Sequence, residues 1–268
     1  MLLEFEDNTP IVLIDASYYV FYRYFATMRW FVFQKQEFDA DTITENEVYI
    51  SSFIKHMESD MKKICKKWKT TINNIVFCLD CQRCDIWRND IYSEYKGTRV
   101  QNANFNNKIF SVFTEYIENK DIKRVNFDRL EADDVVYLMQ DKLKEIGNNS
   151  IIVITNDNDY LQIASNRTSI INMQFKDITL RGQKNAKADL YHKAIYGDKS
   201  DNILKIASFI TKEKALEISQ LSDYDIEQWL NDNDIIDKFN MNMTLISFDN
   251  IPKKIVKQFY DKVKLKIK

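Results

Sequence analysis

The sequence predicts an α/β fold: a central, mainly parallel sheet flanked by helices, with a small helical region at the C-terminal side. Three observations carry that reading. Ile11-Val-Leu-Ile-Asp15, Ile75-Val-Phe-Cys-Leu-Asp80 and Ile151-Ile-Val-Ile-Thr-Asn-Asp157 are short apolar runs without alternation, the pattern of strands buried on both faces. The intervals between them carry helical periodicity, so strands alternate with helices. Each run ends on an aspartate, and ligands of parallel sheets bind at the carboxyl ends of the strands.

The elements follow in order. Asp15 to Trp30 is aromatic-rich and reads as a helix covering the sheet. Thr44 and Glu47 form a capping box, and apolar residues from Val48 to Trp68 recur at helical spacing, which predicts a long helix. Residues 82–101 interleave Arg83, Arg88, Lys96 and Arg99 with Trp87, Tyr92 and Tyr95. A helical stretch holds Ile109, Phe110, Val112, Phe113, Tyr116 and Ile117. A helix from about Glu131 to Ile146 closes on Gly147 as its C-terminal cap. After the third run, Ser169 to Met173 reads as a fourth short strand. The α/β domain is expected over residues 1–185. Residues 186–268 read as short helices ending in a Lys-rich stretch from Lys253 to Lys268.

Composition sets bounds on function. With 38 basic and 40 acidic residues the formal net charge is −2, so no global field attracts nucleic acid and any attraction comes from local patches. No stretch is long and apolar enough to span a bilayer, and Met1 to Asp7 lacks a basic leader, which predicts a soluble, intracellular protein with no membrane partner. Cys78, Cys81 and Cys84 have a C-x2-C-x2-C spacing, but a cluster would want a fourth cysteine where Arg88 stands. They read as free thiols in a reducing compartment.

The chemistry concentrates in acids. Glu131-Ala-Asp133-Asp134 opens a helix, and Glu131 and Asp134 share a face. Asn156-Asp157-Asn158-Asp159 sets two carboxylates on one side of an extended segment, and Gly197-Asp198-Lys199-Ser200-Asp201-Asn202 adds two more. Singly these fit a helix dipole, an Asx turn and a polar loop. Together with strand-terminal Asp15 and Asp80 they predict one acidic cluster. Two like charges ~4 Å apart repel by ~4 kcal/mol at an effective dielectric near 20, so the cluster needs cations. Oxygen-only ligands select Mg²⁺, with Mn²⁺ as substitute, and two such ions suit in-line displacement at phosphorus. No Walker-type loop is present, and the two histidines, His56 and His192, have no nucleophile partner, so phosphodiester hydrolysis fits best.

The residues also carry a family resemblance. Asp15-Ala-Ser, Glu131-Ala-Asp-Asp, Thr155-Asn-Asp157-Asn-Asp159-Tyr-Leu-Gln162 and Gly197-Asp-Lys-Ser-Asp201-Asn202 resemble the successive motifs of the 5′→3′ exonuclease/flap endonuclease superfamily, and in particular its phage ribonuclease H members. Trp87-Arg88 and Tyr95-Lys96-Gly-Thr-Arg99 resemble that family's basic arch motif. The resemblance implies a PIN-like 5′-nuclease fold and removal of RNA primers or 5′ flaps in replication or repair. It implies metal ligands at Asp15, Asp80, Glu131, Asp133, Asp134, Asp157, Asp159, Asp198 and Asp201. Lys96 and Arg99 would approach the scissile phosphate, Arg83 and Arg88 would steer the 5′ strand, and Tyr95 would stack or pack. The family's Gly-rich turn after the last motif is replaced by Ile203 to Lys212 without glycine, so duplex binding is expected either to be weaker or to use Lys205, Lys212 and Lys214. Implied partners are DNA and RNA–DNA hybrid, with a single-strand-binding protein or sliding clamp beside a monomeric enzyme. Two rivals remain: an RNA-only ribonuclease of the PIN group, and a non-catalytic structure-specific DNA-binding protein.

Overall fold

The computed structural model describes residues 1–100, 102–183 and 185–268. Its centre is a five-stranded sheet of β2 (Ile11–Asp15), β3 (Ile75–Leu79), β4 (Lys123–Asn126), β5 (Ile151–Ile154) and β6 (Thr168–Ile171), in the order β4-β3-β2-β5-β6 and parallel throughout. Both faces are covered, as the unbroken apolar runs require. Val12, Ile14, Ile75 and Phe77 pack beneath α1 (Ala16–Phe33), α2 (Glu47–Trp68) and α3 (Ile109–Asn119). Ile11, Leu13, Val76 and Cys78 pack beneath α4 (Ala132–Ile146). Cys78 lies in that core against Met139 while Cys84 is exposed, so the cysteine spacing gathers no sulfur cluster.

From β2 the chain steps outward to β3 and β4, then returns across to β5 on the other side of β2. Neighbouring strands thus leave β2 in opposite directions, and that reversal opens a crevice at their carboxyl ends. Ile11 to Asp15, the strand-terminal aspartate included, forms β2 itself.

Several local expectations are corrected. Helix α2 is capped by Asn46, whose side chain accepts from the Tyr49 amide at 3.0 Å, and Thr44 lies instead in a preceding 3₁₀ turn. Gly147 does follow α4, but with φ −162° and so without a left-handed cap; its missing Cβ makes room for Ile267, which a methyl group there would strike at 2.0 Å. The edge strand β4 escaped notice because Lys123 and Arg124 mask it, as is usual on sheet edges.

Residues 186–268 do not form one helical unit. Helices α5 (Ala186–Tyr196), α6 (Lys212–Ser219), α7 (Asp223–Asp232) and α8 (Ile236–Ile246) share their own core around Ile195, Ile203, Ile218 and Leu230. Helix α9 (Lys253–Lys262) instead packs Ile255 and Phe259 into the core beneath α4. Then β7 (Lys264–Ile267) pairs in parallel with β1 (Leu2–Phe5). The Lys-rich stretch is amphipathic structure whose lysines face outward, two of them toward Glu4.

Candidate metal centre and nucleic-acid interface

Asp15 closes β2, Asp80 follows β3 directly, and Asp157 lies three residues beyond β5, so the crevice collects all three. The amino end of α4 abuts it: the Ala132 amide donates to Asp80 at 2.8 Å, which brings Glu131 and Asp133 to the same place. A cavity of about 320 Å³ is lined by Asp15, Asp80, Lys96, Arg99, Glu131, Asp133 and Asp157.

Neutral groups hold Asp15 and Asp80. Asp15 accepts from the Tyr18 amide at 3.0 Å, from Thr155 Oγ1 at 3.2 Å and from the Tyr160 hydroxyl at 3.1 Å. Asp80 accepts from the Ser17 hydroxyl. Among the described residues no Lys or Arg pairs with Asp15, Asp80, Asp133 or Asp157. Burial first, and then the neighbouring Asp80 charge, pushes Asp15 up to about 7. Burial, together with Asp134 and Glu131, raises Asp133 well above its ordinary range. A crevice of oxygen ligands that resists its own ionisation suits a hard divalent cation.

A pH dependence follows. Asp15 binds its proton more tightly when folded (about 7, against an ordinary 3.8), so its contribution to stability is fully present below pH ~4 and is lost as pH rises through 7. An added divalent cation must displace that proton at low pH and relieves repulsion at high pH. Mg²⁺ should therefore raise the melting temperature more at pH 8 than at pH 5.5 in a thermal-shift titration. An equal shift at both pH values would count against ligation by Asp15.

Asp134 is not among the residues lining the cavity, but it groups with Glu131 and Asp133, one oxygen of each within 4.8 Å of the others. It is fully buried, and its oxygens accept from Trp87 Nε1 at 3.0 Å, from both terminal nitrogens of Arg88 at 2.8 Å and from the Glu131 amide at 3.2 Å. Arg88 is corrected: only 2% exposed, it also bonds Glu131 at 2.9 Å and the Leu245 carbonyl at 2.7 Å, so it joins α4 to α8 and steers no strand. Tyr95 is buried, its hydroxyl between Glu131 at 3.1 Å and Asp201 at 3.2 Å, and it offers no stacking face.

Lys96 and Arg99 reach the crevice because their segment is stitched to the Gly197–Asn202 loop. The Lys96 amide donates to the Asp201 carbonyl at 2.9 Å, and Arg99 donates to the Ser200 carbonyl at 3.1 Å and to the Asp201 carboxylate at 2.6 Å. The Lys96 ammonium contacts Glu131 and lies 3.9 Å from Asp201. Arg83 donates to the Lys96 carbonyl and is otherwise open to solvent. Gly197 permits the loop: at φ +82° it brings its Cα against Ile203 and Lys205, where a Cβ would meet the Ile203 carbonyl at 2.5 Å.

Asp159, Asp198 and Asp201 form a second group, with one oxygen of each within 4.8 Å of the others. Asp159 and Asp198 line a wider cleft of about 950 Å³, and Asp157 lines it too. Here sequence reasoning missed Lys193, whose ammonium bonds both Asp159 and Asp198, the latter at 2.6 Å. Its position in the last turn of α5, where a cation suits the helix dipole, was the available signal. Against the opposing effect of burial, Lys193 and Ser200 hold Asp198 down at about 2. Of the three lysines expected on duplex, Lys212 lines the cleft, and exposed Lys214 pairs with Glu217 at 3.0 Å. Lys205 is corrected: it donates to the Ser208 and Ile210 carbonyls at 2.7 and 3.0 Å, and so ties down the glycine-free loop.

Comparison with known proteins agrees with this architecture. Residues 10–193 match the family model described as 5′-3′ exonuclease, N-terminal resolvase-like domain. The chain is 25% identical over 224 residues to a 5′-3′ exonuclease of Buchnera aphidicola subsp. Schizaphis graminum, covering 79% of this chain and 72% of that protein. It is 24% identical over 242 residues to ribonuclease H of Enterobacteria phage T4, covering 80% and 79%. In structure it is similar to the T5 D15 protein crystallised with metal ions, with a TM-score of 0.60 and 16% identity over 94% of this chain and 97% of that one. A T5 D15 flap endonuclease variant in complex with DNA and metal ions gives a TM-score of 0.59 at 15% identity over 94% and 97%. No described helix is long and apolar enough to cross a membrane. The chain belongs to the 5′-3′ exonuclease family and is a nuclease.

Proposed function

We propose that the protein is a Mg²⁺-dependent 5′-nuclease that hydrolyses RNA–DNA hybrids and 5′-flapped or nicked DNA, as in primer removal during replication or repair. The observation that supports this most is the crevice of Asp15, Asp80, Asp133 and Asp157, free of any cationic partner among the described residues and edged by Lys96 and Arg99. A protein that only bound DNA would have no use for concentrated negative charge facing a phosphate backbone. The T5 relatives that carry metal ions, and in one case DNA, support the same reading.

Two divalent ions, when bound, would polarise the phosphoryl group and lower the pKa of the attacking water. Asp15, Asp80, Asp133 and Asp157, with Glu131, would hold the first, and Asp159, Asp198 and Asp201 the second. Lys96 lines the cavity with its pKa raised well above the ordinary range by Glu131 and Asp201 despite burial, and so stays charged to meet the phosphate. Arg99, about half exposed, flanks it. Lys212 and Lys214 would contact duplex from α6, and Arg83 the 5′ strand. The enzyme acts as a monomer in this reading, with a single-strand-binding protein or sliding clamp as its partner.

One gel tests the proposal: labelled 5′-flap DNA, nicked DNA, RNA–DNA hybrid and single-stranded RNA of equal length, each with Mg²⁺, Mn²⁺ or EDTA. Expected are 5′-phosphate products from the first three with either metal and none in EDTA. Cleavage of the RNA alone would transfer the protein to RNA-only ribonucleases, and retention without cleavage would make it a binder. Lys96→Ala should lower single-turnover rate by about 10²-fold or more while shifting affinity far less. A change confined to affinity would make Lys96 a phosphate anchor.

A further inference from the structure

The two acidic groups differ in how their charge is balanced. In the first crevice Asp15, Asp80, Asp133 and Asp157 take only hydroxyls and backbone amides, and the cations Lys96 and Arg88 pair there with Glu131 alone. In the Asp159–Asp198–Asp201 group a cation already stands where a metal ion would be expected. The Lys193 ammonium touches Asp159 and Asp198, and Arg99 takes Asp201 at 2.6 Å. The contacts are sheltered, the Lys193, Asp159 and Asp198 side chains each being under a fifth exposed. Lys193 hangs from the last turn of α5 beside the wider cleft, on a flexible four-carbon stem that can swing clear.

We propose that Lys193 is a built-in counter-ion for the second acidic group, so that divalent ions enter in order. The first fills the Asp15 crevice directly, and the second enters the Asp159–Asp198–Asp201 group only as the Lys193 ammonium withdraws. Lys193 is thus a positioning residue that holds the second ligand set together while that site lacks its ion, and weakens the second ion by competing with it. The inference rests on the metal reading above and adds to it an order and an unequal affinity.

Mn²⁺ titration of the full chain, with free ion followed by electron paramagnetic resonance, tests it without any measurement of cleavage. The wild type should take one ion tightly and a second at least ~10-fold more weakly. Lys193→Met should tighten the second ion by ~10-fold or more and leave the first unchanged, while Lys193→Arg should keep the gap. An unchanged or weaker second ion in Lys193→Met overturns the proposal, as does equal affinity for both ions in the wild type. Should Lys193→Met not fold, the wild-type lysine ammonium signal, identified through Lys193→Arg by nitrogen-15 resonance, decides. It should survive the first equivalent of Mg²⁺ and be lost with the second, and its survival at saturation overturns the proposal. No Mn²⁺ uptake at all would reject the metal reading itself, whereas two ions bound indifferently to Lys193 would reject this inference alone.

Discussion

Asp133→Ala and Asp157→Ala should each lose at least about three orders of magnitude in cleavage rate while still binding flap DNA measurably by anisotropy. An ion's stabilisation of developing charge is worth several kcal/mol, and about 4 kcal/mol corresponds to about a thousandfold. Asp133→Asn should be as inactive and should also reveal the electrostatic side of the site. Asp133 is pressed by burial and by Asp134 and Glu131, and the amide keeps its shape without its charge. In EDTA at pH 8 the Asn variant should therefore melt higher than the wild type, and Mg²⁺ should stabilise it less. Full activity in either alanine variant would remove these aspartates from the reaction.

Arg88→Met should be the most destabilising single change at the site's base. It strands the Asp134 carboxylate, fully buried, with only Trp87 and a backbone amide left as donors, and removes a bond to the Leu245 carbonyl. Breaking a buried pair by removing one partner costs about 3–5 kcal/mol, because the remaining charge stays in a poor solvent. For a chain of this size that is a drop of about 10 °C in melting temperature by circular dichroism. Arg88→Met combined with Asp134→Leu should recover most of it, since the uncompensated charge goes too. A loss below about 1 kcal/mol in the single variant would mean that water reaches the pair. Because Arg88 also bonds Glu131, the single variant should lower activity as well as stability.

Much of the fold was legible because both-face burial writes itself into sequence as unbroken apolar runs, and β2, β3 and β5 each carry one. Asp15, Asp80 and Asp157 were legible for a linked reason: strand ends place residues at a sheet edge whatever the rest of the chain does. Less legible were elements whose pattern is local and weak. β1 and β7 are four residues each and form a two-stranded sheet with each other, a pairing across the whole chain that no periodicity reveals. The division of charges into structural and open ones was illegible too. Arg88 and Arg99 look alike in sequence, yet one is buried under α4 and the other half exposed, because depth comes from packing and not from spacing. Asp134 shares its motif with Asp133 but is turned by the helix toward Trp87 and Arg88. Lys193 went unseen because only the fold brings the last turn of α5 to Asp159.

Anomalous diffraction from crystals equilibrated with Mn²⁺ tests the central claim most directly. A peak is expected about 2.1 Å from carboxylate oxygens of the Asp15–Asp80–Asp133–Asp157 crevice. Crystals that cleave flap DNA yet show no manganese in that crevice, or show it only elsewhere on the molecule, would contradict it.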